Sequence, residues 1–166
     1  MGEKVNESLV IIAYASKILD YQDHVIEDYF HDDKYKITKD LGHFLITGTE
    51  CDEVQIFKSG IAECKKNLCS NPIEDEIINV SNYLKSIVDG LSLPYPVYSM
   101  YMYQNPDKYQ EIFNKYRNDP RIFGLSFAFD NGIRAEVNLK LEFQFTVSDI
   151  NNIDDIIKIY KEIVNI

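Results

Sequence analysis

The sequence is poor in the residues that build the common catalytic and cofactor loops. Among 166 residues there are 7 glycines, 5 prolines and 3 cysteines, and tryptophan is absent. Phosphate-cradling loops need closely spaced glycines, and the chain has neither such a loop nor a dinucleotide fingerprint, nucleophile elbow, EF-hand loop or His-Glu-x-x-His helix. The three cysteines, Cys51, Cys64 and Cys69, include no Cys-x-x-Cys pair. An odd, unpaired set argues against a disulfide framework and a structural zinc site, and predicts reduced, buried thiols. No cofactor is expected.

Long apolar runs are missing too. A spanning helix needs roughly 18–20 consecutive apolar residues, and no segment approaches that length. The run Leu9–Ala15, with Ala13-Tyr14-Ala15 imitating a cleavage site, follows Glu3, Lys4 and Glu7. That net negative flank is the wrong sign for a signal peptide. Asn6 stands where a myristoylation motif after Gly2 needs Ser or Thr. The triplets Asn6-Glu7-Ser8 and Asn79-Val80-Ser81 then read as chance matches to a glycosylation site, and a cytoplasmic protein is expected.

Basic residues are the last shortage. Lys and Arg number 17 against 27 Asp and Glu, a formal net charge of −10. Such a field repels phosphate backbones and anionic lipid, so nucleic acid and membranes are poor partners and a basic protein is a good one.

What remains is an ordinary globular composition, 45% apolar and 27% charged. There is no low-complexity linker or repeat, so residues 1–166 read as a single α+β domain. Steps of three and four among Leu9, Ile12, Ala13, Leu19, Ile26 and Phe30 predict a helix from Asn6 to about Phe30. His43–Thr47 reads as a strand. Residues 50–68 fit either a helix, with Gly60 inside it at a cost of about 1 kcal/mol, or part of a hairpin across 43–58. A second helix is predicted over Ile73–Val88, with Asn71 as cap, Pro72 first, Glu74 closing a capping box and Gly90 as stop. Val97–Tyr103 reads as a strand, and Asn105-Pro106 as the start of a short helix.

The alternation from Ile133 to Val147 predicts one long strand with a buried and an exposed face. A three-residue loop, Asp130-Asn131-Gly132, sets Phe129 opposite Ile133 and Phe127 opposite Ala135, matching apolar to apolar. The expected fold is a mainly antiparallel single sheet built on the hairpin 121–147 and covered by helices. A last helix is expected over about Ile153 to Val164.

From Ile18 to Asp33 there are six acids, Asp20, Asp23, Glu27, Asp28, Asp32 and Asp33, and no Lys or Arg. On a continuous helix most of them share the face opposite Leu19, Ile26 and Phe30, an acidic stripe suited to steering a basic partner. Tyrosines crowd residues 95–116, and Tyr101 and Tyr103 are candidate interface anchors. Glu74, Asp75 and Glu76 read as complements to the dipole of the second helix. These features predict a non-catalytic protein-binding module, such as an acidic inhibitor of the immunity or antitoxin kind, or an adaptor or chaperone. One alternative is a metal-dependent hydrolase using His24, Asp28 and His31, spaced four and three apart. Another is a small-molecule binder using the short side chains Gly124, Ser126 and Ala128.

Overall fold

The computed structural model describes residues 7–17, 19–68, 71–104, 124–128, 134–138 and 143–164. In chain order the elements are β1 (Ser8–Tyr14), α1 (Asp23–Tyr29), β2 (Lys36–Asp40), β3 (His43–Thr47), β4 (Glu53–Phe57), β5 (Ile61–Asn67), α2 (Ile73–Gly90) and β6 (Val97–Gln104). Then follow β7 (Gly124–Ala128), β8 (Arg134–Asn138), β9 (Phe143–Ile150) and α3 (Asp155–Val164). The nine strands form one antiparallel sheet, ordered β2-β3-β4-β5-β1-β6-β9-β8-β7. The expected α+β architecture is what the molecule has.

The long N-terminal helix is not formed. Residues 8–14 are instead the central strand β1, paired with β5 on one side and β6 on the other. Leu9, Ile11 and Ala13 are fully buried, whereas Ser8, Val10, Ile12 and Tyr14 are half-buried. A strand with one face fully buried and the other half-buried reads as a nearly continuous apolar run, which short-range periodicity cannot tell from a buried helix. The helix shrinks to Asp23–Tyr29.

Residues 50–68 form strands as well. His43–Phe57 and Ile46–Val54 pair in the predicted hairpin sense, and Val54–Cys64 and Phe57–Ile61 continue into β5. Gly60 takes φ +101° in the turn between β4 and β5, a conformation that side chains with a Cβ rarely adopt. Its place in a turn removes the cost that a helix there would have carried.

In the C-terminal third, Phe127 pairs with Ala135 and Leu125 with Val137, the register matched from the apolar pattern. The strand does not run unbroken to Val147. The chain folds back after Asn138, and β8 pairs antiparallel with β9, Val137 opposite Phe145 and Ala135 opposite Val147. Period-two alternation survives such a reversal because both arms keep the same face inward, so the pattern alone could not show the turn. Leu139–Glu142, the 130–132 loop and the short helix expected after Pro106 lie outside the described residues.

The three described helices lie on one face of the sheet. α2 packs on β5 and β1, and α3 on β9. The covered face aligns Ile46, Val54, Cys64, Ile11, Met100 and Val147 across six strands, all essentially buried. Each fully buried aliphatic side chain in that row contributes roughly 1.5–3 kcal/mol. α2 adds Ile77, Val80, Leu84 and Ile87, and α3 adds Ile156, Ile159 and Tyr160. α1 is pinned to α2: Tyr29 Oη donates to the Ser86 carbonyl at 3.2 Å, and Tyr21 Oη to the Leu91 carbonyl at 2.8 Å. The capping box is absent. The Asn71 amide donates to Glu76 Oε1 at 2.8 Å, and no side chain caps α2. Gly90 remains helical, and the chain departs through Leu91 and the positive-φ Ser92.

Candidate functional site

The short α1 breaks the predicted stripe into two parts. Asp20 precedes the helix, Asp23, Glu27 and Asp28 ride on it, and Asp32 and Asp33 lie in the turn beyond its cap, Phe30. The first part is ion-paired from within. Lys58, in the β4–β5 turn, reaches Asp23 Oδ1 at 3.1 Å and Asp20 Oδ1 at 3.9 Å. Lys39, on β2, pairs with Asp23 and lies 3.8 Å from Glu27 Oε1. Its hydrogen bond, seconded by Lys58, holds the Asp23 carboxyl below the usual carboxylate range, and the same bond raises the Lys39 ammonium.

The second part has no such partner. Asp28, Asp32 and Asp33 are exposed, and none forms an ion pair among the described residues. Asp32 Oδ1 accepts the Lys34 backbone N–H at 3.1 Å, which fixes the turn. The stripe therefore survives only at its C-terminal end.

The hydrolase trio is separated by the same break. His24 and Asp28 remain on α1, but His31 lies past the helix end and its Nδ1 donates to the Asp28 carbonyl at 2.7 Å. Among the described residues, no three His, Cys, Asp or Glu side chains gather within reach of one metal ion. Tyr101 and Tyr103 are half-buried on β6, in register with Val10 and Ser8. They belong to the sheet face opposite the helices, so they do not join the acids in one patch. The side chains of Gly124, Ser126 and Ala128 lie outside the described residues.

A concavity of about 440 Å³ opens between α2 and the segment from β3 to β5. Its floor and walls are Cys51, Glu76, Val80 and Tyr83, and its rim includes Glu50, Lys66, Asn71, Asn79, Asn82 and Ser86. The turn bearing Asp32 and Asp33 adjoins it. The Lys34 carbonyl lies hard against Gly48, two residues before Glu50, and Tyr35 neighbours Tyr83. Burial, then the neighbouring Tyr35, pushes the Tyr83 phenol well above its ordinary value.

Glu76 is 5% exposed, and its carboxylate accepts one described hydrogen bond, from Asn71. Lys66 lines the same space, but its ammonium is directed at the Glu50 backbone carbonyl, 3.5 Å away. Cys51 and Cys64 are free and buried, and contact with Cys51 together with burial raises the Cys64 thiol far out of the reactive range.

Sequence reading missed Glu50, Glu76, Lys39 and Lys58. For Glu76 the signal existed: at 100° per residue it falls beside Val80 and Tyr83, on the edge of the apolar stripe, and not on the solvated face with Asp75. Lys39 and Lys58 are far along the chain from their acids and become visible only through β2 and the β4–β5 turn.

Fold and site together define an α+β protein with a helix-covered antiparallel sheet and an acidic concavity on its helical side. No family model matches this chain, and no curated protein sequence matches it. No helix among the described residues is long and apolar enough to cross a membrane.

Proposed function

We propose that this chain is a non-catalytic protein-binding domain whose partner is basic, as an acidic inhibitor of the immunity or antitoxin kind or an adaptor would be. The observation that carries this reading is the uneven ion pairing of the acids. Asp20, Asp23 and Glu27 are paired with Lys39 and Lys58, whereas Asp28, Asp32 and Asp33 form no ion pair among the described residues, and Glu50 and the buried Glu76 line a concavity on the same helical side. Unpaired carboxylates around a concavity focus a negative potential there and speed capture of a cationic surface.

The test is binding of the whole chain to immobilised arginine-rich peptides across a salt series. Asp28→Asn/Asp32→Asn/Asp33→Asn should weaken capture by about tenfold or more at low salt, on the order of 0.5 kcal/mol per exposed charge. Asp20→Asn/Asp23→Asn should weaken it less, by about two- to threefold, because only two charges change and Lys39 and Lys58 already offset them locally. Equal losses in the two variants, or capture indifferent to salt, would refute the reading.

A further inference from the structure

We infer that the concavity at α2 is a socket for a guanidinium group, filled by an arginine side chain of the basic partner. This rests on the proposed function and names the contact that would give it specificity. The starting point is Glu76. A carboxylate that is nine-tenths buried normally has a cation or several donors around it, since burying a lone charge is costly. Glu76 has one amide donor and no lysine or arginine within ion-pair distance among the described residues.

The remaining groups say which cation fits. Glu50 supplies a second carboxylate at the rim, the side-chain amides of Asn79 and Asn82 and the Ser86 hydroxyl supply neutral acceptors, and Lys66 supplies one positive charge. The lining therefore carries one negative charge in excess. A planar group with five fixed donors can engage several of these acceptors at once, whereas an ammonium is a compact and strongly hydrated point charge. Tyr83 lines the space and is only half-buried, an aromatic side chain that suits stacking with a guanidinium. A volume of about 440 Å³ lies in the range of ligand sites and admits the side chain together with ordered water.

The experiment is an NMR titration of the full chain with N-acetyl-arginine amide and, separately, N-acetyl-lysine amide. Arginine amide should shift the backbone signals of Glu50, Glu76, Asn79, Tyr83 and Ser86 saturably, and bind about fivefold or more tighter than the lysine probe. Glu76→Gln, which keeps the acceptor for Asn71, should weaken arginine binding by about tenfold. Glu50→Gln, at the exposed rim, provides the same comparison without touching a buried group. Shifts confined to the Asp32–Asp33 turn, equal affinity for both probes, or unchanged affinity in both variants would overturn the socket. Peptide capture that still depends on Asp28, Asp32 and Asp33 would show that the basic-partner reading survives that failure. Arginine amide binding at the cavity, with peptide capture untouched by Glu76→Gln, would assign the socket to a free small guanidine and overturn the partner's arginine.

Discussion

Glu63 shows how one side chain can carry a stability signature of its own. It is half-buried on β5, and desolvation, then the charge of Glu53, raises its carboxyl against the weaker pull of Lys65 and His43. A carboxyl raised in the folded chain holds its proton more tightly there than when unfolded. It therefore subtracts stability as pH climbs from the ordinary glutamate value of about 4.3 to the raised folded value, and the whole loss is present at neutral pH. Glu63→Gln should melt higher than the parent at pH 7, and the two should converge below about pH 4. A melting difference that is the same at pH 3 and pH 7 would exclude this cause. No sequence pattern foretold the effect, because it depends on β4 bringing Glu53 alongside.

At the scale of elements, the turn after β3 matters most to the site. Gly48 has φ +80°, and a Cβ there would overlap the Lys34 carbonyl. Gly48→Ala should destabilise the fold by about 1–3 kcal/mol, read as a fall in the midpoint of urea unfolding with an unchanged slope. An alanine variant as stable as the parent would mean that the 31–35 turn is not held against residues 48–51.

Elements also explain what the sequence could and could not reveal. α2, β3 and β6, and the register of β7 on β8, were legible because each has a dense pattern bounded by turn residues. β1 was not, since Leu9, Val10, Ile11 and Ile12 fit both periods and only its two neighbours decide between them. The acidic segment was legible as composition, but its division at Phe30 was not, because the division follows from where the helix stops.

For the whole molecule the question is how the formal charge of −10 is distributed. Lys39 and Lys58 cancel the field over one end of the acidic segment. Replacing both, as Lys39→Gln/Lys58→Gln, would release Asp20, Asp23 and Glu27 and extend the negative surface along α1. The association rate with an arginine-rich peptide should then rise by about 2–10-fold at low salt, and the gain should vanish near 0.5 M salt. An unchanged rate at low salt would show that these carboxylates were never the limiting attraction. The tyrosine pair would not be affected, since Tyr101 and Tyr103 stand on the far side of the sheet.

β2 is the terminal strand of the described sheet, and its residues Lys36, Thr38, Lys39 and Asp40 are all exposed. Charged side chains on a border strand stop two molecules from zipping together through their free backbone groups. The ammonium that quiets Asp23 thus also stands guard against self-association. A lineage that drifted toward stronger attraction by discarding Lys39 would trade away part of its solubility, which gives selection a reason to keep a lysine that blunts the very attraction on which the protein relies.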